Sequence, residues 1–278
     1  MPELPEVEIA VAVLRRALVG RTITAIDVRH AAHRRRLGTA TAARLIGERV
    51  VGVERRGKHQ LVRLASGATL HVHFRMAGDW AIDTADAPWP PSARLAITTD
   101  DGTRAVLTDP RALSTATWHP ADVDPLPTLG PDAIDDALTA PRLAARLAGR
   151  RTPIKVALLD QRIVAGVGNI YAAEALWRAR IDPRRQARSL SLPEVARLRR
   201  AIRAVMRAGL AAPGRYADGT TSRRFAVYDR AGAPCRRCRS PIARLTQAGR
   251  STYWCPGCQR RTDRVARPVS RAPRRARP

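Results

Sequence analysis

The sequence predicts an α+β protein built from several domains. Three observations carry this. Short β-type runs fill the first half of the chain, helical periodicity replaces them after about residue 130, and all four cysteines fall in two Cys-x-x-Cys pairs near the C-terminus. The length suits one large or two modest domains, and the hydrophobic content of 45% is enough for ordinary cores.

Taken in order, Val7, Val11, Leu14 and Leu18 lie on one helical face, with Gly20 as a stop, so a helix is expected over Pro5–Leu18. Strands follow at roughly Thr22–Val28, Arg49–Glu54, Gln60–Leu64, Thr69–Phe74, Arg94–Thr98, Arg104–Leu107 and Thr115–Trp118. Regular short strands with turn residues between them predict a β-sandwich or barrel. The Pro/Gly-rich stretch from Pro125 to Pro131 marks a domain boundary. Helical patterns then occupy about 140–148, 153–160, 170–180 and 192–210. The last opens with Ser191 and Glu194 in capping-box spacing, and its stripe Val195, Leu198, Ile202 and Val205 or Met206 is core. We divide the chain into a β-sandwich domain (1–128), a helical domain (129–222), a cysteine module (223–262) and a basic tail (263–278).

The formal net charge is +26, with a sequence pI near 11.7. Such an excess calls for a polyanionic partner, and nucleic acid is the first choice. Of 50 basic residues only Lys58 and Lys155 are lysines. A lysine that survives in so arginine-rich a chain marks a place where a compact, titratable ammonium serves better than a planar guanidinium. No run of 18 apolar residues exists and no signal peptide is read, so a cytoplasmic location is expected.

Cys235-x-x-Cys238 and Cys255-x-x-Cys258 are separated by 16 residues, the pattern of two zinc knuckles. Disulfides are the alternative, disfavoured in a reducing compartment. Four thiolates close a tetrahedral site, so one structural Zn²⁺ is expected. Between the knuckles, Ile242–Thr246 and Ser251–Trp254 pair as a hairpin that pushes Arg250 outward at its tip.

The start, Met1-Pro2-Glu3-Leu4-Pro5-Glu6-Val7-Glu8, reads first as an ordinary helix opening, with proline and acids in the first turn. Removal of Met1 gives it a second meaning. Pro2 then carries a free secondary amine that is partly unprotonated at neutral pH and able to attack a sugar aldehyde carbon. Glu3 beside it supplies acid/base capacity.

Three motifs in one order are similar to the formamidopyrimidine-DNA glycosylase / endonuclease VIII family. They are the opening octapeptide, the segment Val164-Ala-Gly166-Val-Gly168-Asn169-Ile-Tyr171-Ala-Ala-Glu174 and the double-knuckle finger. The resemblance reaches to about Arg261. It implies an N-terminal β-sandwich, a helix–two-turns–helix domain and a zinc hairpin closing on DNA. It further implies a base-excision-repair glycosylase and AP lyase that acts as a monomer on duplex DNA containing damaged bases or abasic sites. By matching position, Pro2 is the Schiff-base nucleophile, Glu3 the acid/base, Glu6 a second acid, Lys58 the aid to β-elimination and Arg250 the finger arginine used in δ-elimination. His73, Arg150, Lys155, Asn169 and Tyr171 match DNA-binding positions. Met76, Arg111 and Leu113 match the wedge that fills the space of the flipped nucleotide.

The chain departs from the family in three places. Asp109-Pro110-Arg111-Ala112-Leu113-Ser114 keeps the first arginine of the wedge loop but replaces the second by Ala112 and the stacking phenylalanine by Leu113. Ser92 replaces a histidine. The segment Asp218–Phe225, expected to cap an oxidised purine, is shortened, which opens the range to ring-opened purines, hydantoins and oxidised pyrimidines. The rival readings are an endonuclease VIII-like pyrimidine enzyme, a non-catalytic damaged-DNA-binding protein and a zinc-finger regulator. Both non-catalytic readings leave the retained Pro2, Glu3 and Lys58 unexplained.

Overall fold

The first helix, α1 (Leu4–Leu18), belongs to two cores at once. In the computed structural model, which describes residues 1–212 and 224–260, Leu4 is packed with the helical domain, whereas Val7, Val11, Leu14 and Leu18 pack into the sandwich. The helix starts where expected because Glu6 turns back to accept the Glu3 backbone N–H at 3.0 Å and Pro5 tolerates the first turn.

Two antiparallel four-stranded sheets form the sandwich. One has the order β1 (Ile23–Val28), β6 (Ala93–Thr99), β7 (Thr103–Thr108), β5 (Asp79–Thr84). The other has the order β2 (Val50–Arg56), β3 (His59–Leu64), β4 (Thr69–His73), β8 (Thr115–His119). Alternation sends Val62, Leu64, Leu70, Val72, Leu95, Ile97, Ala105 and Leu107 into the shared core. The sequence reading found seven of these eight strands and missed β5. Two short helices between β1 and β2, α2 (Ala31–Arg34) and α3 (Thr39–Ala43), were also unforeseen.

The helical domain holds α4 (Ala140–Leu147), α5 (Ile154–Leu159), α6 (Asn169–Ala179) and α7 (Leu192–Ala211), close to the expected spans. Glu194 closes the capping box on Ser191 N at 2.8 Å and also accepts from Arg185 at 2.5 Å. Burial would raise its pKa, but the hydrogen bonds from Arg185 and Ser191 hold it down to about 2. The last hairpin, β9 (Ala243–Gln247) with β10 (Arg250–Trp254), matches the expected one and carries Gly249 at its turn with a φ of 71°. The shortened capping segment around Asp218 and the basic tail lie outside the described residues. None of the described helices is long and apolar enough to cross a membrane.

Leu14 is fully buried between α1 and the sheets. Leu14→Ala is expected to lower stability by about 2–5 kcal/mol, read from the urea midpoint. A loss near zero would show that α1 does not depend on the sandwich core.

Candidate active site

The carboxylate of Glu3 lies at the N-terminus of α6. Oε2 accepts the backbone N–H of Gly168 at 2.7 Å and of Tyr171 at 3.3 Å, and Oε1 accepts that of Ile170 at 2.8 Å. An exposed helix start offers such unpaired amides, and a carboxylate is a natural partner for them. The Gly-rich motif explains how the two meet. A Cβ on Gly168 would lie 2.4 Å from Glu3 Cδ, and one on Gly166 would lie 2.6 Å from Leu4 Cδ1. Gly166 also accepts the Leu4 N–H through its carbonyl at 3.1 Å.

Glu6 sits one turn along α1. Its Oε1 accepts the Tyr171 hydroxyl at 2.9 Å while Oε2 holds the Glu3 amide. Both glutamates are almost fully buried, at 1% and 2% exposure. Burial raises both carboxyl pKa values. Lys58 and the α6 amides oppose the rise at Glu3, and Tyr171 opposes it at Glu6. Tyr171 was assigned to DNA. It is buried, and its hydroxyl is spent on Glu6, which raises its own pKa further.

Lys58 is positioned by the two-residue turn between β2 and β3. Gly57 there has a φ of 58° and donates its N–H to Asp132 at 3.0 Å. Asp132 also accepts Arg55 at 2.6 Å, and Arg55 reaches Glu8 at 2.5 Å. The helical domain thus fixes the lysine turn of the sandwich. Sequence reasoning missed Asp132 because its partner is 75 residues away. Burial lowers the Lys58 pKa and Arg250 lowers it further, while Glu3 opposes both. Lys155, the other lysine, is fully buried. Its Nζ has no hydrogen-bond partner among the described residues, and burial together with Arg250 lowers its pKa to about 8.

Glu3 borders a cleft of about 430 Å³, lined also by Met1, Met76, Asn169, Tyr228 and Arg250 among others. Arg250 is exposed at the hairpin tip, as expected. Asn169 donates to the Ser251 carbonyl at 3.0 Å, which ties the finger to α6. The terminal ammonium, here that of Met1, is held below the usual value of 8.0. Burial is the main cause and Lys58 adds to it, against the pull of Glu3. The turns that carry Met76 and Leu113 each join one sheet to the other, and both side chains are exposed, at 41% and 45%. Arg111 is exposed on the same loop as Leu113. Arg150 lies farther off, 3.7 Å from Asp160. His73 accepts the Arg75 N–H on Nδ1 at 2.9 Å.

The four cysteine sulfurs lie within 4.8 Å of one another, with contacts of 3.9 Å between Cys235 and Cys258 and 3.3 Å between Cys238 and Cys255. A tetrahedron with Zn–S bonds of about 2.3 Å has edges of about 3.8 Å. The cluster therefore fits one structural zinc.

Family models match most of the chain. They describe the formamidopyrimidine-DNA glycosylase N-terminal domain over residues 1–116, its H2TH domain over 129–221, and the zinc finger found in FPG and IleRS over 232–261. The chain belongs to the formamidopyrimidine-DNA glycosylase family. It is similar to the formamidopyrimidine-DNA glycosylases of Paracoccus denitrificans and Roseiflexus sp. The first is 41% identical over 93% of this chain and the second 40% over 94%, and each match covers the whole relative. Among solved structures, Lactococcus lactis formamidopyrimidine-DNA glycosylase bound to abasic-site DNA matches with a TM-score of 0.85 at 28% identity. It covers 93% of this chain and all of that one. MutM bound to DNA containing carbocyclic 8-oxo-G matches at 0.86 and 29%, over 94% of this chain and all of that one. Members of this glycosylase family are bifunctional DNA glycosylases and AP lyases of base-excision repair, and this chain is one.

Gly168→Ala is expected to displace Glu3 and reduce abasic-site cleavage at least about tenfold, measured on a labelled duplex. Unchanged cleavage would show that the contact between Gly168 and Glu3 is not needed. Chelation should remove about one zinc per chain and abolish DNA binding. Retention of full affinity after zinc loss would show that the finger holds its shape without metal.

Proposed function

We propose that Pro2, exposed by loss of Met1, is the nucleophile of this glycosylase, with Glu3 as the acid/base and Lys58 as the aid to elimination. One observation carries the reading. The chain terminus, Glu3 and Lys58 influence one another electrostatically, and the terminus and Glu3 line one cleft. The Met1 ammonium is held below its usual value, chiefly by partial burial, and a Pro2 amine in the same surroundings is left freer at neutral pH. Pro2 N attacks the anomeric carbon of a flipped nucleotide, and the damaged base leaves with its bonding electrons and a proton. Glu3 then gives a proton to the ring oxygen, the C1′–O4′ bond opens, and the resulting iminium acidifies the neighbouring sugar proton. Loss of that proton expels the 3′ phosphate, and a second elimination expels the 5′ phosphate. The raised pKa of Glu3 suits a carboxyl that must both give and take protons.

In this reading Glu6 orders the first turn of α1. Lys155, Asn169 and Arg250 hold phosphate, and His73 and Arg150 add backbone contacts. Met76, Arg111 and Leu113 enter the duplex. Residues 1–128 supply the chemistry, 129–222 and 223–262 grip DNA, and 263–278 adds nonspecific attraction. The substrates are oxidised or ring-opened bases, and association with DNA places the protein on the nucleoid within the cytoplasm.

Borohydride should trap a covalent complex between the Met1-processed protein and an abasic duplex, and Pro2→Gly should lose most of it. Trapping should weaken as pH falls through the amine pKa. The partial burial that lowers the Met1 ammonium acts in the same direction on a Pro2 amine and moves this limb toward lower pH. The absence of any adduct would overturn the nucleophile assignment.

A further inference from the structure

Four of the six histidines lie on one face of one sheet. His59 on β3 is in register with His73 on β4. His71 lies two residues along β4, and His119 on β8 is in register with Thr69. The opposite face carries the core residues Val62, Leu64, Leu70 and Val72, so the histidines occupy the outer face. All four are only partly buried. His59 Nδ1 is 2.8 Å from His71 Nε2. The His59 and His73 rings are 4.8 Å apart, and the His71 and His119 rings 6.0 Å. The row begins at the active site, since His59 follows Lys58 and His73 leads into the turn of Met76.

We propose that His59, His71 and His119 form a phosphate-binding strip that carries the DNA-backbone track outward from Lys58 and His73. The partner, duplex DNA, is taken from the glycosylase reading, and the strip is additional to it.

Tautomer logic supplies the donors. His73 Nδ1 accepts the Arg75 N–H, so the proton of a neutral ring sits on Nε2. In the hydrogen bond between His59 and His71, one ring donates and the other accepts. Whichever donates, the pair keeps one N–H and one lone pair directed away from that bond. His119 Nε2 is 3.0 Å from Thr117 Oγ1.

The charged neighbours point the same way. On this face, register places Arg56 beside His59, with Lys58 and Arg75 at the adjoining turns. Glu54 is the one acid among the four strands and is paired with Arg63 at 3.1 Å, which also donates to Thr69. Burial, Arg75, Lys58 and the rings themselves lower the pKa of His59 and His71 to about 4 and that of His73 to about 3, and burial lowers that of His119. The free protein therefore presents neutral donors at neutral pH. A phosphate laid on the strip favours the charged ring. Binding then takes up protons and must tighten as pH falls. A ladder that merely braced the sheet would have no reason to take up protons with DNA.

The test uses the full chain and a duplex carrying a tetrahydrofuran abasic analogue, which forms no iminium. Affinity is measured by fluorescence anisotropy at about pH 8 and about pH 5.5, over a salt series, for wild type, the triple variant H59Q/H71Q/H119Q and the single variant H119Q. Wild type should tighten several-fold more than the triple variant between the two pH values. Its log–log salt slope at the lower pH should be steeper by about 0.9 for each phosphate neutralised. H119Q, altered at the far end of the row, should lose part of both effects. If the triple variant does not fold, H119Q decides. Equal pH response and salt slope in wild type and the folded variants would overturn the strip and leave the glycosylase reading intact. Failure of wild type to bind the duplex at either pH would overturn both.

Discussion

Everything in this structure depends on one buried carboxylate. Glu3 takes three backbone amides from the start of α6, and in doing so it draws the chain terminus into the opposite lobe. Removing a carboxylate from water is costly unless its lone pairs are met. Hydrogen bonds to a charged acceptor are each worth about 1.5–3 kcal/mol, so three of them go far toward offsetting that cost. The consequence is architectural. Leu4 is buried in the helical core while the rest of α1 is buried in the sandwich. The cleft therefore exists only when the two lobes are docked. Asp132 reinforces this from the other side, because it fixes the Lys58 turn through Gly57 and Arg55. The terminus and the lysine are held by the same partner lobe.

One helix distributes these constraints. The first amides of α6 hold Glu3, Asn169 holds the finger through Ser251, and Tyr171 holds Glu6. Nearly a full turn beyond Tyr171, Glu174 accepts the backbone N–H groups of Ala226, Val227 and Tyr228 at 2.8–2.9 Å and anchors the chain entering the finger. A helix is well suited to this, since its successive side chains leave in different directions from a rigid axis. Small residues keep the axis close to its neighbours: Ala172, Ala173 and Ala175 are all buried.

Much of this was legible in the sequence, and the exceptions have physical causes. Helix spans followed from periodicity, and the finger hairpin followed from cysteine spacing. The strand β5 escaped because Asp79-Trp-Ala-Ile-Asp-Thr84 places acids at both ends of a short run, and only pairing with β7 makes it a strand. The helices α2 and α3 are too short for any period to show. At the site, Pro2, Glu3 and Lys58 stood out in the sequence by type and order, and the roles proposed for them rest on that reading. Tyr171 was misplaced on DNA because sequence position cannot show that a hydroxyl is already taken. Asp132 was invisible for the complementary reason: an acid after Gly-Pro looks like any turn residue until Gly57 is seen against it.

The departures in the wedge loop fall where the scaffold can absorb them. Asp109 is fully buried and accepts the backbone N–H groups of Arg111, Leu113 and Ser114 at 3.0, 2.7 and 2.6 Å. Burial would raise its pKa, but these amides lower it overall, so the carboxylate stays charged and the loop stays closed. The bonds come from the main chain, so they do not depend on which side chains stand at 112 and 113. Ala112 occupies a φ of 53°, a strain that the arginine of the family pattern would carry equally. Ser114 is buried against His33 at 3.3 Å and belongs to the scaffold. Replacing arginine and phenylalanine by Ala112 and Leu113 therefore changes what the loop presents to DNA while leaving its shape in place. In the proposed wedge, Leu113 would still fill the space vacated by a flipped nucleotide, but it offers no aromatic face on which a base can stack. On the proposed reading these changes fall on how the enzyme reads the strand opposite the lesion, and the sugar chemistry proposed for Glu3 and Lys58 is built from other parts of the fold.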